Sequence, residues 1–260
     1  MKIRTVVDAL ERFAPLPLQE SYDNAGLQIG LTEAEVSGVL LCLDVTEDVI
    51  DEAIKKGCNL IVSHHPLIFH KLAQISNNSY VERCVIKAIK NDVAIASMHT
   101  NIDFAFGGVN YKIAEKLNLS SLVKIGEEKT LEGVNGSEGL MGTLPEPMAA
   151  DDFIILLKKV FNVECVQANQ LLRRPITKVA VAGGSASFML NAAMVAGADA
   201  FITGEMHYHE YFGTEQQIQI AILGHYQSEQ FTTEVFRSII EPLGVRCCDS
   251  EINTNPILYI

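Results

Sequence analysis

Short apolar runs without internal alternation recur along this 260-residue chain, at 39–43, 59–63, 93–98, 177–182, 199–203 and 218–223, and they limit its fold more than any other feature. A strand with one wet face alternates apolar and polar residues. A run that does not alternate is covered on both faces, as in the parallel sheets of α/β proteins. Helical patterns separate the runs: 47–56 ending at Gly57, 80–90, a segment opened by Gly107-Gly108 through 117, and 187–196. Strand, helix, strand in that order predicts a mainly parallel sheet.

The rhythm occurs twice. Gly57-Cys58-Asn59-Leu60-Ile61-Val62-Ser63-His64 is similar to Gly197-Ala198-Asp199-Ala200-Phe201-Ile202-Thr203-Gly204, and residues 93–99 are similar to 219–225. The expected architecture is two related α/β domains, 1–125 and 126–260, with mainly parallel sheets facing each other across a metal-binding cleft and the final strand free to return to the first domain. The middle section, 127–175, reads as a hairpin or strand pair with a helix at 150–161. Residues 1–13 carry charges at helical spacing and no apolar core, so they read as an amphipathic helix rather than a signal peptide.

Composition excludes several partners. No segment reaches the roughly 18 to 20 apolar residues of a membrane span, so no membrane partner is expected and the cytoplasm is the default compartment. A net charge of −12 opposes binding to nucleic acid, whose phosphates attract Lys and Arg clusters. The six cysteines, at 42, 58, 84, 165, 247 and 248, form no Cys-x-x-Cys pair and read as buried thiols rather than a disulfide framework.

The strand ends carry the chemistry. In open α/β sheets ligands bind where strands deliver their carboxyl ends. Here the run ending at Ser63 is followed by His64 and His65, the one ending at Met98 by His99 and Asp103, and the one ending at Leu223 by His225 and Glu229. Neighbouring residues on a regular strand point to opposite faces, so His64 and His65 reach one place only if the chain leaves the strand there. Pro66 favours that exit. Phe231, Val235 and Ile239 recur every fourth residue, predicting a helix over 226–241 with His225 and Glu229 one turn apart at its start. Two imidazoles, a carboxylate able to bridge, and a further His and Glu suit two divalent ions about 3.5 to 4 Å apart. Zn is the first expectation, with Fe, Mn or Ni as alternatives. His99 is placed either to ligate or to orient a ligand. Glu205 and His207, after the 199–203 run, join His99 as candidates for proton transfer.

Two glycine-bearing segments have plainer readings. Gly183-Gly184-Ser185-Ala186-Ser187 is either a phosphate cradle or, more in keeping with its departure from known phosphate loops, a tight turn. Tyr22-Asp23-Asn24-Ala25-Gly26 predicts a turn with Asn24 in the left-handed region and Gly26 at positive φ.

In combination, Ser21-Tyr22-Asp23-Asn24-x-Gly26-Leu27, Ser63-His64-His65-Pro66, His99-Thr100-Asn101-Ile102-Asp103, Thr203-Gly204-Glu205 and Gly224-His225-x-x-x-Glu229 resemble the Nif-three-like family, the GTP cyclohydrolase 1 type 2 homologues. The Tyr22 position is commonly Trp in that family. The resemblance implies a dinuclear metal site between two α/β domains, with His64, His65, Asp103, His225 and Glu229 as ligands, and toroidal homohexamers. It points to a metal-dependent hydrolase of a small nucleotide-like or cyclic amide substrate. The competing reading is a non-enzymatic hexameric scaffold that stores metal or binds proteins.

Overall fold

The computed structural model describes residues 1–131 and 133–258. Its elements, in chain order, are α1 (Ile3–Phe13), β1 (Gly26–Ile29), β2 (Val39–Cys42), α2 (Glu47–Lys55), β3 (Leu60–Ser63), α3 (Tyr80–Lys90), β4 (Ala94–Ser97), α4 (Thr100–Phe104), α5 (Val109–Lys116), β5 (Ser120–Leu131), β6 (Val134–Met148), α6 (Ala150–Phe161), β7 (Gln167–Ala168), β8 (Ile176–Val181), α7 (Leu190–Val195), β9 (Ala200–Thr203), β10 (Gln219–Ile222), α8 (His225–Glu229), α9 (Thr232–Ile240) and β11 (Cys247–Asp249). Internal contacts divide the chain into two compact units. The first is Met1–Ala105 with Thr232–Pro256; the second is Phe106–Phe231 with Ile257 and Leu258. The division therefore falls at 105/106 rather than at 125/126. The reason is packing: α5 lies against β6 in the second unit, whereas α9 packs on α1 and β11 pairs with β2 in the first.

The first unit is built on a five-stranded sheet in the order β1-β4-β3-β2-β11, parallel from β4 to β11 with β1 antiparallel at one edge. Strands β2, β3 and β4 are buried at every position, as their unalternating sequences require. Helix α1 buries Ile3, Val6, Val7 and Leu10, one stripe at helical spacing, each contributing up to about 1.5 to 3 kcal/mol by leaving water. Local signals set the helix starts. The Thr46 hydroxyl accepts the Val49 amide ahead of α2, and ahead of α3 the Ser79 hydroxyl oxygen accepts the Glu82 amide while its O–H donates to Glu82 Oε1.

The second unit has a six-stranded sheet in the order β5-β6-β8-β9-β10-β7. Its parallel centre, β8-β9-β10, is extended by antiparallel β5 and β6 on one side and β7 on the other; β6 and β7 come from the middle section, and β5 begins ahead of it at Ser120. Phe153, Phe161 and Phe201 are fully buried. Arg174 ion-pairs with Asp199, whose carboxylate also accepts the Thr177 and Lys178 amides at 2.9 Å.

Three local expectations need correction. The helix over 226–241 is two helices, α8 and α9, separated at Gln230 and Phe231, where the chain passes from one unit to the other. At that break the Phe231 ring packs 5.6 Å from the Phe161 ring with the Lys116 ammonium 4.5 Å over its face, contacts a continuous helix would have to satisfy with the same register as Val235 and Phe236. Asn24 is not in the left-handed region, while Gly26 has φ +105° as expected. Cys42, Cys58 and Cys84 are buried, but Cys165 is exposed and Cys247 and Cys248 are half-buried.

Candidate metal-ligand site

In the first unit β3 ends at Ser63, so His64 and His65 leave the strand and their rings stand 4.8 Å apart, tilted by 50°. The His64 and His65 amides still donate to Cys42 and Leu43 carbonyls, which holds the exit against the end of β2. One ring nitrogen from each of His64, His65 and His99 lies within 4.8 Å of the other two. Asp103 projects from α4, with Oδ1 3.7 Å from His64 Nε2. All four predicted groups of this unit thus meet at one place.

Each ring is oriented by an acceptor. His64 Nδ1 lies 2.9 Å from the Met98 carbonyl, His65 Nδ1 2.8 Å from Asp44 Oδ1, and His99 Nδ1 2.8 Å from Asp23 Oδ1. A carbonyl or an ionised carboxylate only accepts, so the proton of each neutral ring sits on Nδ1 and the lone pair on Nε2. That is the tautomer a metal-ligating imidazole needs. Burial would raise the Asp44 carboxyl, but the hydrogen bond and charge of His65 and the Thr254 hydroxyl hold it below the usual range.

Asp23 has two tasks. Its Oδ1 accepts His99 Nδ1–H and the Asn24 amide at 2.7 Å, while Oδ2 accepts the Thr100 amide at 3.0 Å and the Thr100 hydroxyl at 2.5 Å. Burial pushes this carboxyl up, yet His99, Thr100 and Asn24 together bring it down to about 2. A group depressed in the folded state stabilises the fold fully above its unfolded value of about 4, and that contribution is lost as pH falls toward about 2. Asp23→Asn should therefore remove part of the acid limb of stability, read as urea midpoints between pH 2 and 5. Parent and variant midpoints falling in parallel would exclude this role.

In the second unit three strand ends converge through glycine. A Cβ on Gly204 would stand 2.6 Å from the Gly184 carbonyl oxygen, 2.7 Å from Ser228 Oγ and 2.9 Å from His225 Cα, so only glycine lets the β9 end approach those of β8 and β10. Gly184 has φ +64°. The amides of Gly183, Gly184 and Ala186 donate to Asn110, Ser228 and Thr203 side chains, which makes the segment a clamped turn and leaves those donors engaged rather than aimed at a phosphate. From this junction His225 Nδ1 lies 3.1 Å from Glu205 Oε1, and His225 Nε2 lies 3.2 Å from Glu229 Oε2, the one-turn pairing expected of α8. Glu229 is buried and Glu205 is half exposed. A cavity of about 200 Å³ opens beside them, lined in part by Cys165, Gln167, Glu205, Met206 and His225. His207 is exposed, its amide donating to Glu210 Oε2 at 2.6 Å, and with Ser185, Ser187 and Glu205 it lines a separate small pocket.

Asp23 and Asp44 are the ring-orienting groups that motif spacing alone does not reveal. Both lie far in sequence from the histidines they orient. Asp23 falls inside the Tyr22-Asp23-Asn24 motif, which is the signal that could have found it.

Two α/β units whose strand ends carry candidate His, Asp and Glu metal-ligand groups define the class of this protein. The chain belongs to the Duf34/NIF3 (NGG1p interacting factor 3) family, whose model matches residues 1–256. It is 34% identical over 232 residues to a Clostridium perfringens protein named GTP cyclohydrolase 1 type 2 homolog, covering 88% of this chain and 87% of that one. It is 31% identical to the Drosophila melanogaster NIF3-like protein 1, covering 100% of this chain and 89% of the relative. The crystal structure of Staphylococcus aureus protein SA1388 matches with a TM-score of 0.90 at 27% identity, over 100% of this chain and 99% of that one. Among the described residues no helix is long and apolar enough to cross a membrane.

Proposed function

We propose that the protein is a metal-dependent hydrolase of a small nucleotide-like or cyclic amide substrate, with His64, His65, Asp103, His225 and Glu229 holding two divalent ions per chain. The observation that carries this reading is the tautomer lock: the three proposed histidine ligands, His64, His65 and His225, each have Nδ1 against an acceptor, which makes Nε2 the ligand atom. A mixed imidazole and carboxylate set suits Zn first, with Fe, Mn or Ni as alternatives. When bound, such ions activate water near neutral pH and polarise a carbonyl or phosphoryl oxygen.

The chain's own residues do the rest. Asp23 and Asp44 keep His99 and His65 in one tautomer and orientation, and Glu205 does the same for His225. Glu205, His99 and His207 are the candidates for carrying a proton between substrate and solvent. The cavity beside His225 gives a small substrate its place. A homohexamer belongs to the same proposal, supported by large apolar side chains exposed on the second unit, among them Phe106, Ile155, Phe188 and Val195. Neither nucleic acid nor membrane is a partner in this reading, and the cytoplasm is its compartment.

Protein purified without chelator should carry about two divalent ions per chain by elemental analysis and sediment as a hexamer. Absence of metal after reconstitution with Zn, Mn or Fe would defeat the metal centre. Full occupancy with no turnover across nucleotides and cyclic amides would favour the metal-binding scaffold.

A further inference from the structure

Beyond β11 the chain continues along the first unit without regular structure, and it is tied down at two separate places. The first is α2. The Ser250 hydroxyl donates to Glu52 Oε2 at 2.5 Å, the Glu251 amide donates to Glu52 Oε1 at 2.8 Å, and the Ser250 amide donates to the Leu41 carbonyl at 2.9 Å. The second is the end of β2. Here the Asn255 amide donates to Asn253 Oδ1 at 3.0 Å, closing a local turn around Thr254. The Thr254 hydroxyl then donates to Asp44 Oδ2 at 2.6 Å. The other oxygen of the same carboxylate, Oδ1, accepts His65 Nδ1–H at 2.8 Å.

We propose that residues 250–256 form a positioning strap for His65, with Thr254 as the residue that acts, through Asp44, on the imidazole. The argument is geometric. A carboxylate bound at one oxygen swings about its side-chain torsions. One bound at both oxygens from opposite partners has its plane fixed, and the ring that donates to it is fixed in turn. Asp44 follows β2 on a loop and its side chain is 36% exposed, so packing alone does not immobilise it. The Thr254 hydroxyl supplies the second anchor, 210 residues away in sequence. Its own position is set by the Asn253 turn and by the clip of Ser250 and Glu251 on Glu52. This inference rests on the metal reading insofar as His65 is a ligand, but the ring orientation can be measured without metal.

The test uses the full chain with cobalt(II) as the probe, and ¹⁵N spectra of the histidine rings in metal-free protein. Substituting groups that orient metal ligands typically costs 10 to 100-fold in affinity. Thr254→Val, one bond further out, should weaken cobalt(II) binding about 3 to 10-fold and broaden or shift the His65 Nδ1 signal. Thr254→Ser keeps the hydroxyl and should behave as the parent. Ser250→Ala loosens the clip on Glu52 that sets Thr254 in place, and should weaken cobalt(II) binding in the same direction as Thr254→Val and by no more than that variant does. Parent-like cobalt binding in Thr254→Val, or equal loss in Thr254→Val and Thr254→Ser, would overturn the strap. If the parent itself binds no cobalt(II), the metal reading fails and the ring spectra decide: a His65 signal identical in Thr254→Val and parent would overturn the strap as well.

Discussion

An Asp103→Ala chain should hold divalent metal at least about 100-fold more weakly than the parent, beyond the range seen for groups that only orient ligands, and should turn over nothing that the parent turns over. Under the proposed function Asp103 is the carboxylate able to bridge two ions, so its loss disturbs both. Its oxygen stands 3.7 Å from His64 Nε2. The fold should survive the substitution. Helix α4 is held by Asp23 on the Thr100 amide and hydroxyl and by Asn101, which donates to the Ala14 carbonyl at 2.7 Å, none of which involves the Asp103 side chain. Elemental analysis with circular dichroism separates the outcomes. Unchanged metal content in a folded Asp103→Ala protein would remove Asp103 from the ligand set.

The framework was legible because burial on both faces leaves a direct mark on sequence. Strands β2, β3, β4, β9 and β10 lie within the apolar runs, and α3 and α6 span the predicted 80–90 and 150–161. The candidate ligand residues at strand ends stand out for the same reason: a polar residue directly after a buried strand has to be placed somewhere, and His-His or His-x-x-x-Glu limits where. What stayed hidden depends on distance in sequence. Asp44 precedes His65 by 21 positions and Asp23 precedes His99 by 76, and neither spacing belongs to a helix or strand period. The unit boundary was hidden too. Whether α5 packs with the sheet before it or after it is decided by side-chain contacts, which periodicity does not encode. The break between α8 and α9 is a similar case, since Phe231 continues the every-fourth-residue pattern while its ring packs on Phe161 in the second unit.

Glu205 separates two roles that the sequence left merged. As a proton carrier its carboxylate must exchange a proton during turnover. As the acceptor for His225 Nδ1–H, 3.1 Å away, it needs only an oxygen. Glu205→Gln retains a carbonyl oxygen for the ring but removes the proton acceptor. Metal content should therefore stay at the parent level while the rate falls about 10² to 10⁴-fold, the contribution expected of a positioned acid or base. Glu205→Leu removes the oxygen as well, and cobalt(II) affinity should then fall about 10 to 100-fold. His207→Ala and His207→Asn are the comparison: the His207 amide contact to Glu210 survives both, and Asn can still cap the following turn as the His207 side chain does, so a loss of rate shared by both variants reports on the imidazole itself. A Glu205→Gln enzyme as fast as the parent on the same substrate would take Glu205 out of proton transfer, and a Glu205→Leu chain with parent-like cobalt affinity would take it out of orienting His225.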